Sequence, residues 1–253
     1  MKYISLIIIL CCVSSIEIHA QDASYYFKPI PKDRSFGSIH IAFGPSLAVS
    51  DFGSHSFEHP SAGYADVGFN GSVSYQSPTL GSLGIIVRGL GAIHPIDKTR
   101  FQIELEDHYS LLQNNEGIVS SLSTGSWSHY GGMGGLNISI PAGNAKIEFK
   151  GLGGILIHEA ADIQYTILRG SNTITFRRIP NSVSTLSWQG EAGFRYEMRG
   201  SGTVGISTSY LHAALSNPYR DVLALNGQAS DMVNNVEMNI SAITLQFSLG
   251  FRF

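Results

Sequence analysis

Charge is scarce in this chain. Asp, Glu, Lys and Arg make up 14% of its 253 residues, against roughly a quarter in ordinary globular proteins. Cysteine is nearly absent too. Cys11 and Cys12 are the only two, so everything after them lacks disulfides and thiolate metal sites. A lipid anchor on either is disfavoured, because Leu10 before Cys11 is larger than such a site usually carries. There is no basic excess. The net charge is −3, which argues against nucleic acid as a partner. Long apolar runs are missing as well: after residue 20 none approaches the roughly 20 residues of a spanning helix. If this chain crosses a membrane, it does so as strands.

What is present begins with an export signal. Met1–Ala20 has a positive start at Lys2, an apolar core at Ile4–Val13, and Ile18-His19-Ala20 before Gln21. Residues 21–36 read as a short leader at the periplasmic mouth, with Pro29 and Pro31. From residue 37 onward the dominant pattern is a period of two. The last stretch is the plainest: Ile243, Leu245, Phe247, Leu249, Phe251 and Phe253 alternate with Thr244, Gln246, Ser248, Gly250 and Arg252. Such a strand has one apolar and one polar face. A soluble sandwich buries the apolar face, whereas a membrane barrel turns it to lipid.

Comparable stretches are Gly37–Ser50, Gly63–Tyr75, Ser82–His94, Ser126–Ile140, Ala145–Ile157, Ser184–Tyr196, Thr203–His212 and a last one from about Val236 to Phe253. The fourth contains Gly131-Gly132-Met133-Gly134-Gly135, which suits a strand only where a sheet bends or packs tightly. Connections after the odd-numbered strands are long and those after the even-numbered ones short. Outer-membrane barrels follow that rule, with short periplasmic turns and longer external loops. Within the second long connection, Pro95–Gly125, the alternation of Phe101–Leu105 suggests strand continuing above the membrane. Glu159–Asn181 and Ala213–Asn235 read as loops. The expected fold is all-β, an eight-stranded antiparallel transmembrane up-and-down barrel over 37–253.

The run Phe43-Gly-Pro-Ser-Leu-Ala-Val-Ser-Asp-Phe-Gly-Ser54, then Gly63-Tyr-Ala-Asp-Val-Gly-Phe69, with the ending Leu249-Gly-Phe-Arg-Phe253, resembles the OmpA-type outer-membrane β-barrel family. Small porin-family members common in Bacteroidetes are the nearest in pattern. The chain departs in having Ser50 where Gly is common. The resemblance implies the outer membrane of a Gram-negative bacterium, contact with outer-membrane lipid and lipopolysaccharide, and handling by the barrel-assembly machinery. It also implies that Leu249, Phe251 and Phe253 form a C-terminal assembly signal. No peptidoglycan-binding domain is expected after Phe253. The expected state is a monomer.

An eight-stranded barrel is just wide enough for its side chains to fill. Strand parity directs Asp66, Arg88, Lys146, Glu148, Lys150, Glu191, Arg195 and Arg252 inward. In a low-dielectric wall such charges persist only if paired or wet, so a packed ion-pair network that closes the lumen is favoured over a narrow pore. The functional reading is a structural or surface-interaction barrel acting through its external loops, with an extracellular or envelope protein as candidate partner. The alternative is a narrow porin-like channel for small solutes. A lipid A-modifying enzyme is less favoured: His158-Glu159 with Asp162, and Asp107-His108 flanked by His94 and His129, read as solvated rim residues. Glu104, Glu106, Asp107 and His108 read as an acidic edge, because no cysteine or His-x-x-x-His spacing supports a metal. No catalysis, cofactor or metal is assigned.

Overall fold

In a computed structural model of the chain, the described residues are 37–55, 61–78, 82–112, 117–169, 171–198, 200–232 and 236–253. The expected signal 1–20 and leader 21–36 lie outside them. Eight strands close into an antiparallel barrel: β1 (Ser38–Val49), β2 (Gly68–Gln76), β3 (Leu83–Pro95), β5 (Ser126–Ala142), β6 (Ala145–Glu159), β9 (Ser182–Glu197), β10 (Gly202–Ser216) and β13 (Glu237–Arg252). Chain neighbours pair in turn, and β1 pairs with β13, Ile39 opposite Phe251, to close the ring. The closed ring leaves no barrel edge strand unpaired, which lipid demands.

The alternation turns inside out. On β13, Leu249 and Phe251 are 58% and 60% exposed, whereas Thr244 and Gln246 are 3% and 1% exposed. The same holds on β1, where Ile39, Ile41, Phe43 and Leu47 face outward and Ser38, His40 and Ser46 are buried. A water-soluble fold would not present such a belt; a hydrocarbon layer covers it at no cost. The glycine-rich centre of β5 stays in the ladder. A Cβ on Gly135 would collide with the Gly151 carbonyl oxygen of β6, so glycine there permits an approach that a larger residue blocks.

Two expected boundaries shift: the seventh strand runs on from His212 to Ser216, and the second begins late. The second strand starts at Gly68, and residues 63–67 form an irregular segment with Tyr64 at φ 52° and a single bridge from Ala65 to Ile96.

The long connections hold most of the differences. The second contains helix α1 (Lys98–Leu112) and strand β4 (Gly117–Thr124). Phe101, Ile103 and Leu105 do alternate, but Phe101 and Leu105 lie one helical turn apart and are buried, while Ile103 is exposed. Asp97 caps the helix by accepting from the Arg100 backbone N–H at 3.1 Å. The third contributes β7 (Ile163–Arg169) and β8 (Asn172–Pro180). The fourth contributes β11 (Tyr219–Leu225) and β12 (Gln228–Met232).

These five strands form a second sheet in the order β12-β11-β8-β7-β4, which repeats the barrel order β13-β10-β9-β6-β5. The wall therefore continues upward on one side. Seams at Gly125, Ala160–Asp162, Asn181 and Asn217–Pro218 are bridged by Gly125 N–H to Asp162 O (2.6 Å), Asn181 N–H to Pro218 O (2.9 Å) and Asn217 N–H to Val236 O (2.8 Å). Above the belt the polarity is the ordinary one. Ile163, Tyr165 and Ile167 point inward with Phe101, Leu105, Phe52 and Tyr219 into one apolar core.

Candidate functional site

The lumen is filled from the terminal end upward. At the mouth Glu197 holds two cations, Lys146 at 2.7 Å and Arg252 at 3.1 Å, and Arg252 also donates to the Gly200 carbonyl at 3.0 Å. Further in, five charges meet. Arg88 of β3 donates to Glu191 of β9 at 2.6 Å and to Gln189 at 3.0 Å. Lys150 of β6 bridges Glu191 at 2.7 Å and Glu148 at 3.4 Å. Arg195 pairs with Glu148, which also accepts from Ser139 at 3.1 Å and Asn137 at 3.3 Å. Arg195 donates to His40 Nε2 at 2.6 Å. A guanidinium can only donate, so that nitrogen accepts and the imidazole is neutral. His40 was legible as an inward position but carries no obligatory charge, so charge counting passed over it.

Seven of the eight residues that parity sends inward thus fall into two groups: Arg88, Glu148, Lys150, Glu191 and Arg195 in mid-lumen, and Lys146 and Arg252 at the mouth. Asp66 belongs to neither and corrects the expectation. It is exposed, in the irregular segment before β2, where its carboxylate accepts the Val67 N–H at 2.7 Å. Parity fails there because no strand has begun.

Apolar side chains fill the lumen beside the charges: Ile86, Leu90, Met133, Leu152, Leu156 and Leu211. Next comes a row of three imidazoles on adjacent strands. His94 and His129 have ring centres 5.7 Å apart, and His129 and His158 5.5 Å. All three are at most 1% exposed, so the solvated-rim reading of these histidines is overturned. Phe52 packs edge-on against His94 and Trp127, and the Trp127 indole donates to the Gly63 carbonyl at 2.8 Å. This plugs the upper end.

Beyond that histidine row, the acidic partners described do not join a catalytic constellation. His158 points inward; Glu159 points outward and accepts from Ser182 at 3.1 Å, Ser128 at 3.2 Å and Tyr130 at 3.4 Å. Asp162 pairs with Arg177 at 3.4 Å. Glu104 accepts from the Tyr64 hydroxyl at 3.2 Å and Glu106 from Gln102 at 2.8 Å. On a helix, positions two apart do not share a face, so the acidic edge expected of an extended segment is split. The His108 side chain lies outside the described residues. Among the described residues no three His, Cys, Asp or Glu side chains gather as a metal site. Burial, reinforced by the Glu104 carboxylate, raises the Tyr64 hydroxyl above the usual phenol range.

The cap carries its own ion pair, with Asp221 buried and Arg178 half-buried. Arg178 holds Asp221 through two hydrogen bonds of 3.0 and 3.2 Å and lies over the Tyr219 ring at 3.6 Å. Parallel bidentate bonds fix orientation as well as charge, which locks β8 to β11.

Fold, belt and filled lumen together define a closed eight-stranded transmembrane β-barrel with a structured sheet beyond the membrane. No protein-family model matches the chain, and no curated protein does. Among solved structures, Neisserial surface protein A is similar at 10% identity over 87% of this chain and 98% of that one, with a TM-score of 0.44. The attachment invasion locus protein Ail of Yersinia pestis is similar at 13% identity over 86% and 99%, TM-score 0.38. A major outer membrane protein from Thermus thermophilus is similar at 10% identity over 85% and 99%, TM-score 0.40.

Proposed function

We propose that this chain is a monomeric outer-membrane protein of a Gram-negative bacterium that acts by surface recognition, with the extramembrane sheet and α1 as the recognising part. One observation supports this most. Five of the eight barrel strands continue past the apolar belt into a sheet that shares one apolar core with the upper ends of β5, β10 and β13 and is tied by the Arg178–Asp221 pair. A bare anchor or a pore has no need of that structure, and loops on a rigid scaffold are where such proteins place function. The partner class is an extracellular or envelope protein.

The test is to replace the β7–β8 hairpin, Ile163–Pro180, with a short turn and crosslink intact outer membranes. Loss of a stoichiometric partner while the barrel still shifts on a gel upon boiling supports the reading. An unchanged partner set contradicts it.

The lumen contents argue against the porin-like alternative. The charge network, the apolar cluster and the Phe52–Trp127 plug succeed one another along the axis, so the expected planar-bilayer result is no steady conductance. A reproducible nanosiemens-scale open state would restore the channel. The ending Leu249, Phe251 and Phe253 is proposed as the assembly signal. Removing Phe253 then lowers folded protein in the outer membrane but leaves export intact, and normal assembly of the shortened chain contradicts it.

A further inference from the structure

The mid-lumen network does not balance. Among the described residues it contains three fixed cations, Arg88, Lys150 and Arg195, and two carboxylates, Glu148 and Glu191. The nearest other carboxylate of the lumen, Glu197, is engaged at the mouth by Lys146 and Arg252. His40 accepts from Arg195 and brings no negative charge. One positive charge is left over in a wall where an uncompensated ion costs several kcal/mol.

Two further features sit at the same place. Arg88 Nε and Arg195 Nε are buried with no hydrogen-bond partner, although buried donors are almost always satisfied. A cavity of about 20 Å³ is lined by Arg88, Lys150, Arg195 and His40, together with the two ion-paired carboxylates Glu148 and Glu191. Its size exceeds the roughly 10–15 Å³ that one water-sized occupant needs.

We propose that this cavity binds one small monovalent anion of halide size. Such an ion supplies the missing negative charge, accepts from the orphaned guanidinium N–H groups, and fits the volume. Sulfate and phosphate are too large for it, and a water fills the space without balancing the charge. The anion thereby becomes part of the plug. The site is independent of whatever the outer sheet recognises.

The test uses the mature chain folded in lipid micelles. Its unfolding midpoint is followed at constant ionic strength while chloride or bromide replaces gluconate. The wild type should rise in equal steps per tenfold increase in halide once halide is well above the dissociation constant, because a ligand held by the native state then stabilises logarithmically. Lys150→Met leaves Arg88–Glu191 and Arg195–Glu148 as two balanced pairs, and its midpoint should not respond to halide. A wild type indifferent to halide, or a Lys150→Met variant with the full response, overturns the proposal. If that variant does not fold, crystals of the wild type grown in bromide decide. An anomalous peak between Arg88 and Arg195 supports the site, and a water there overturns it.

Discussion

The same strands obey opposite rules in two regions. Along β6, Ile147, Phe149 and Ile155 face outward while Glu148, Lys150 and His158 are inside. Three residues later, along β7, Ile163, Tyr165 and Ile167 are inside and Gln164 and Thr166 face out. The reversal falls at Ala160–Asp162, where the ladder breaks. A period of two carries no label for inside or outside; the surrounding solvent assigns it. The seam therefore marks the upper edge of the hydrocarbon layer, and each region needs its own kind of core. Below the seam the interior joins a buried ion-pair network to a small apolar cluster. Above it the interior is apolar, as in a soluble domain.

The largest effect should come from breaking the polar interior. Glu191→Gln leaves Arg88 and Lys150 facing a neutral amide, and removing one partner of a buried pair costs about 3–5 kcal/mol. Urea unfolding in micelles measures it, and a loss under about 1 kcal/mol would mean that water already screens the network. Next comes the apolar interior. Leu105→Ala should cost about 2–5 kcal/mol, but confined to the cap. Protease should then cut within 98–112 while the barrel keeps its gel shift on boiling. Loss of both together would make the two regions one cooperative unit.

The smallest changes give the sharpest contrast. Phe247→Arg on the belt should cost about 2–4 kcal/mol, the penalty for Arg or Lys facing lipid near mid-membrane. Thr166→Arg on the outer face of the upper sheet should stay within about 0.5 kcal/mol, as for surface positions elsewhere. Similar costs for both would erase the boundary drawn between the regions.

The barrel was legible because each of its strands carries a long alternation bounded by turns. Seven of the eight starts lie within two residues of the structure's, and only the second is off, where residues 63–67 alternate without pairing as a strand. The upper sheet was not legible, although Ile163-x-Tyr165-x-Ile167 and Ile174-x-Phe176 alternate. Those runs are short and lie between barrel strands, where an irregular loop is the default expectation. Helix α1 was hidden because Phe101, Ile103 and Leu105 fit a strand, and only the Asp97 cap and the one-turn spacing of Phe101 and Leu105 favour a helix. In the lumen, parity placed the charges on regular strands and misplaced Asp66, which precedes one. His129 and His158 were read as solvated rim residues, whereas the structure buries both. What parity cannot supply is pairing. That Lys150 reaches Glu191 as well as Glu148 on its own strand, and that Arg88 shares Glu191, depends on contacts between residues 41 or more apart in sequence.

The most direct test of the reversal uses single cysteines, which the chain allows because its own two lie at residues 11 and 12. Spin labels at Phe247→Cys, Ile206→Cys, Thr166→Cys and Thr175→Cys in bilayers would be probed with oxygen, which concentrates in lipid, and with a water-soluble nickel chelate. The expected result is oxygen-dominated relaxation at 247 and 206, and chelate-dominated relaxation at 166 and 175. Lipid-like accessibility at 166 and 175, or water-like accessibility at 247 and 206, would contradict the account.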